Sequence, residues 1–91
     1  MEHIKGKKMG EVFLYTLSTC IWCKKTKALL KELGVDFTYE DVDLLEGEES
    51  EKTENEMEKY TDNPSFPLII INGKFFHSGF DEAIMRKRFG K

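Results

Sequence analysis

The chain predicts an α/β domain built on a mixed sheet. Three observations point there. A strand-like run leads straight into a helix-period stretch and then into a second strand-like run. An Asn-Gly pair later sits between two further apolar runs. A short amphipathic segment closes the chain. The predicted order is β-α-β-α-β-β-α: a central four-stranded mixed sheet flanked by three helices. Its 91 residues make one domain. Residues 1–10, "MEHIKGKKMG", carry no periodic pattern and are expected as a flexible N-terminal tail, leaving 11–91 as the folded part.

"EVFLYT" (11–16) is rich in aromatic and branched residues and reads as a buried strand. "CIWCKKTKALLKELG" reads as a helix: Trp22, Thr26, Leu29, Leu30 and Leu33 form one face, and Lys24, Lys27 and Lys31 lie on another. Gly34 is placed to end it as the C′ residue. "DFTYEDVD" (36–43) alternates and reads as a second strand, made parallel to the first by a right-handed crossover. An acidic helix is expected over roughly 46–60, with a thin apolar face of Leu45, Met57 and Tyr60. "TDNP" (61–64) breaks it. "FPLIII" (66–71) and "KFFHS" (74–78) form a hairpin around a type I′ turn at Asn72-Gly73. In "GFDEAIMRKRFG" Ser78 and Asp81 have capping-box spacing, and Phe80, Ala83 and Ile84 are expected to point inward.

Apolar content of 40% and charged content of 34% suit a globular protein in water. The longest apolar run, "FPLIII", is far short of the ~20 residues a membrane span needs. No apolar stretch follows the basic N-terminus to make a secretion signal. The two cysteines are too few for a disulfide scaffold. A cytoplasmic monomer without a membrane partner is the expectation. Residues 40–58 hold ten acids against one base, Lys52. That run reads as a solvated helix face. No nucleic-acid partner is expected, because no aromatics interleave the basic residues to stack on bases.

The two cysteines stand together in "TCIWCKK" (19–25). As a staple, the pair would close almost no loop and remove little unfolded-state entropy. As a zinc site it lacks ligands, since only His3 and His77 could join it, so no metal is expected. Redox chemistry fits best. A thiol at a helix N-terminus meets unpaired N–H groups and the positive end of the helix dipole, which favour thiolate. Lys24 and Lys25 add positive charge. Cys20, at the helix mouth, is then the nucleophile. Cys23, almost a turn on, is the less accessible thiol that resolves a mixed disulfide. Pro67 opens a strand after an aromatic residue, where a cis bond is tolerated. It would turn the backbone of Phe66 outward to pair with an extended substrate, unless it is simply a strand-entry proline.

Strand, C-x-x-C at a helix start, a later X-Pro before a strand, a hairpin, and Gly-x-Asp at a helix start together resemble a glutaredoxin of the thioredoxin superfamily, over roughly residues 11–90. "SGF" (78–80) is similar to the glutaredoxin-like electron donors of ribonucleotide reductase. The resemblance implies a dithiol–disulfide oxidoreductase, with Cys20 as nucleophile and Cys23 as resolving thiol. It implies a substrate or glutathione platform of Trp22, Phe66 and Pro67. Gly79, Phe80 and Asp81 would then hold the γ-glutamyl carboxylate. Protein or glutathione mixed disulfides would be the substrates. No tightly bound cofactor is implied, and glutathione or a reductase would be the electron donor. Ile21 stands where the family usually has proline. Leu17 stands where it usually has a lysine that grips the glycyl carboxylate, a role that Lys24 or Lys25 could take instead. The alternative by resemblance is a dimeric carrier of a [2Fe–2S] cluster.

Overall fold

The computed structural model describes residues 1–62 and 65–90. Its elements are β1 (Glu2–Ile4), β2 (Val12–Thr16), α1 (Ile21–Glu32), β3 (Phe37–Asp41), a 3-10 turn at Val42–Leu44, α2 (Gly47–Tyr60), β4 (Leu68–Ile71), β5 (Lys74–Ser78) and α3 (Glu82–Phe89). The strands form one sheet in the order β1-β3-β2-β4-β5. Only β2 and β3 are parallel, as a crossover through α1 requires. The "TDNP" breaker falls partly outside the described residues.

The sheet has five strands rather than four. The extra one is β1, inside the stretch expected as a tail. It pairs antiparallel with β3 from Glu2↔Tyr39 to Ile4↔Phe37. The segment behind it is also held. Lys7 exchanges backbone hydrogen bonds with Gly34 and Asp36, and His3 and the Gly6 N–H both reach the Asp36 carboxylate. A Cβ on Gly6 would meet the Gly34 carbonyl at 2.6 Å, so this close approach requires glycine. The physical reason is that β3 would otherwise leave its outer ladder unpaired.

Alternation along the strands divides the core. Val12 and Leu14 of β2, and Ile69 and Ile71 of β4, face α1 and α3, where Leu29, Leu30, Met85 and Phe89 cover them. Tyr15, Leu68 and Ile70 face α2, and Met57 is that helix's one buried residue. The thin apolar face of α2 is therefore real. Helix α1 ends as the sequence indicates: Gly34 has φ +70°, its N–H donates to Lys31 O, and the Val35 N–H donates to Leu30 O. Asn72 and Gly73 both take positive φ in the hairpin turn.

Two helix faces differ from expectation. Trp22 is not core; it is 51% exposed, and Cys23 takes the buried position in the first turn. Trp22 instead stacks against the ring of Phe80 at the helix mouth, outside the core. In α3, Ala83 is exposed and Ile84 half-buried, whereas Met85 and Phe89 are buried. The capping box is also different. Asp81 itself is the N-cap, accepting from the Ile84 N–H, while Ser78 is still in β5, opposite Leu68. No helix among the described residues is long and apolar enough to cross a membrane.

Candidate active site

The end of β2 and the start of α1 set the two sulfurs. Cys20 is the N-cap of α1 in extended conformation, and its Sγ accepts the Cys23 N–H at 3.3 Å. A thiol thus fills the place that Ser, Thr, Asp or Asn usually takes at a helix start. Cys23 is fully buried, and its Sγ accepts the Leu17 N–H at 3.5 Å. Both thiols are free.

Their environments push them apart. At Cys20, burial opposes ionisation. Hydrogen bonds from the Cys23 thiol and from the Cys23 and Trp22 N–H groups outweigh it, with the positive charge of Lys27 added, and the pKa falls. At Cys23, burial dominates and is reinforced by the Cys20 thiol and its charge. The Leu17 N–H works the other way but does not offset them, and the pKa is pushed up to about 12. One sulfur is shifted toward the thiolate and the other away from it.

The helpful charge is Lys27, not Lys24 or Lys25. The Lys27 ammonium lies 3.1 Å from Asp41 Oδ1 and 3.8 Å from the centre of the Tyr39 ring, with little solvent exposure. Asp41 also accepts the Thr16 hydroxyl at 2.6 Å. Lys24 is exposed, and Lys25 lies over the Trp22 ring at 4.9 Å. The spacing held the clue to Lys27: it is seven residues after Cys20, two turns along the same helix face.

Phe66-Pro67 is a cis bond, and Pro67 is buried. The Pro67 carbonyl accepts the Gly79 N–H at 2.8 Å, where Gly79 has φ +87°. Ser65 and Ser78 clasp the same two loops together through their hydroxyls and the Ser65 carbonyl. Phe80 stacks on Trp22, centroids 6.0 Å apart. The structure thus connects Trp22 to Phe80 at the helix mouth and Pro67 to Gly79 through the hairpin. Asp81 commits its carboxylate to capping α3. Sequence reasoning did not find the Ser65–Ser78 clasp or the Ser18–Asp43 pair. There the Ser18 N–H donates to Asp43 Oδ1 at 2.8 Å and steadies the loop before Cys20. Both join residues far apart in the chain.

Beside Leu17 and Phe66 opens a cleft of about 700 Å³. Its apolar lining comes from those two residues with Val42, Leu45 and Met57.

Comparison with known proteins agrees with this geometry. The glutaredoxin family model matches residues 12–76. An uncharacterised glutaredoxin-like 8.6 kDa protein in the rubredoxin operon of Clostridium pasteurianum is 35% identical over 78 residues, covering 86% of this chain and 96% of that one. Among solved structures, the glutaredoxin from Methanosarcina mazei superposes with a TM-score of 0.87 at 47% identity, covering 99% of this chain and 87% of its own. Methanoredoxin from Methanosarcina acetivorans gives 0.87 at 44% identity, over 94% and 90% of the two chains.

Proposed function

The chain belongs to the glutaredoxin family and has its thioredoxin-like fold, and we propose that it is a dithiol–disulfide oxidoreductase working through Cys20 and Cys23. The observation that carries this reading is the contrast between the sulfurs: one at the helix mouth with its pKa lowered, the other buried and held protonated.

The Cys20 thiolate attacks one sulfur of a substrate disulfide. A Cys20–substrate disulfide forms, and the other substrate sulfur leaves as thiolate. Cys20 is now neutral, so its charge no longer holds up the Cys23 pKa. Cys23 loses its proton, attacks the Cys20 sulfur and expels the second substrate thiolate. The substrate has gained two electrons, its two thiolates take up the proton that Cys23 released and one more from water, and the protein holds a Cys20–Cys23 disulfide. An external dithiol donor then reverses the exchange.

A reductase suits this chain better than glutathione as donor. Leu17 presents no charge to a glycyl carboxylate and Lys25 lies over Trp22, which leaves the exposed Lys24 as the candidate for that role. A charge-assisted hydrogen bond is worth ~1.5–3 kcal/mol, so glutathione binding should be weaker by about ten- to a hundredfold than with a lysine there.

The test is reduction of bis(2-hydroxyethyl) disulfide by the purified protein, with glutathione and a flavin- or ferredoxin-linked thiol reductase offered in turn. Turnover that disappears in Cys20→Ser supports the reading. No turnover with any donor, together with visible absorbance after anaerobic reconstitution with iron and sulfide, would favour the cluster carrier instead.

A further inference from the structure

The cleft beside Leu17 is lopsided in charge. Asp43, Glu54, Glu58 and Asp62 line it, and no lysine, arginine or histidine does so among the described residues. It is also joined to the redox pair. Leu17, in its wall, donates its N–H to Cys23 Sγ and accepts the Cys20 N–H through its carbonyl at 3.2 Å. A substrate whose disulfide reaches Cys20 has flanking groups within reach of this cleft.

We propose that the cleft selects disulfide substrates that are cationic polypeptides, seating a lysine or arginine beside the substrate cysteine. This rests on the oxidoreductase reading above. Three features favour such an occupant. The volume suits several residues rather than one ion. The apolar wall of Leu17, Met57 and Phe66 suits the alkyl stem of a long basic side chain, whose head then meets the carboxylates. Those carboxylates repel an anionic flank, as in an acidic peptide.

The test uses three disulfide-linked peptide dimers that differ only in the residues flanking cysteine: lysine, serine or glutamate. Fully reduced protein is mixed with each in single turnover, and every rate is divided by that protein's rate on bis(2-hydroxyethyl) disulfide. An exposed charge pair changes binding by about 1.4- to fivefold, so several carboxylates should favour the lysine peptide over the glutamate peptide by ~10-fold or more at low salt. The preference should shrink at high salt as the charges are screened. The E54K/E58K variant leaves two carboxylates, Asp43 and Asp62, against two ammonium groups, and should abolish the preference. Equal rates for lysine and glutamate peptides with the unsubstituted protein, or a lysine preference undiminished in E54K/E58K, would overturn the proposal while the neutral disulfide is still reduced. Failure to reduce even the neutral disulfide would overturn the oxidoreductase reading, and this proposal with it.

Discussion

Alkylation by iodoacetamide at pH 7.5 should be almost wholly a reaction of Cys20. The perturbation is Cys20→Ser, which keeps a hydroxyl at the cap and leaves Cys23 as the sole thiol. In the wild type, with its pKa pushed up to about 12 by burial and by Cys20, Cys23 is ionised to only ~3 × 10⁻⁵ at pH 7.5, whereas a thiol at or below the ordinary ~8.5 is at least ~10% ionised. That difference is about three-thousandfold. A more basic thiolate is intrinsically more reactive, with a Brønsted slope of ~0.4–0.5, and over ~3.5 units this returns roughly fortyfold. The net expectation is that Cys23 of the wild type reacts about a hundredfold more slowly than Cys20, before its complete burial is counted; in Cys20→Ser the contribution of Cys20 is gone, and burial is what keeps labelling slow. The sign with pH follows: only thiolate reacts, so the lowered Cys20 pKa moves the rise of the wild-type rate below pH ~8.5. Stopped-flow or mass-spectrometric labelling of wild type, Cys20→Ser and Cys23→Ser measures this. A Cys20→Ser rate within a few-fold of wild type, or a wild-type midpoint at or above pH ~8.5, would refute the division of labour.

Lys27→Met strips the cation from Asp41 and Tyr39; it should cost ~1.5–3 kcal/mol in urea unfolding and slow Cys20 labelling near pH 7, since less thiolate is present. Met57→Ala removes the one buried side chain of α2 and should cost ~2–4 kcal/mol by the same measurement. Gly6→Ala places a methyl against the Gly34 carbonyl and should lower stability by ~1–3 kcal/mol. No loss there would mean that the first residues are not docked on the domain.

The legible parts of this molecule carry local signatures. Gly34 ending α1, Asn72-Gly73 turning the hairpin, and a cysteine pair opening a helix each depend on a few adjacent residues. What escaped depends on distance. "EHI" is three residues with no periodicity, and it becomes a strand only because β3 lies 33 positions on with an open edge. Lys27 and Asp41 meet only once β3 is laid beside β2. Trp22 matched a helical stripe, but a stripe does not say which of its members the fold covers. Ser78 matched a capping pattern, but the hairpin register claims it first. The acidic segment was readable as a helix face; that part of it walls a cleft beside Leu17 and Phe66 required the fold.

The sulfur proposed to attack substrate also begins a helix, and this would link chemistry to thermodynamics. While reduced, Cys20 gives α1 a cap. When the sulfur is shared in a bond to Cys23, it carries no negative charge with which to hold the Cys23 N–H, and α1 starts less well satisfied. An N-cap is worth about 1 kcal/mol. By closure of the cycle joining folding and reduction, whatever the cap adds to the reduced fold it adds to the driving force for becoming reduced, and 1 kcal/mol is ~20 mV for a two-electron couple. If the pair is redox-active as proposed, a helix terminus would thereby set part of its appetite for electrons. The difference in unfolding free energy between the two oxidation states, read against the same pair in the unfolded chain, measures that part directly.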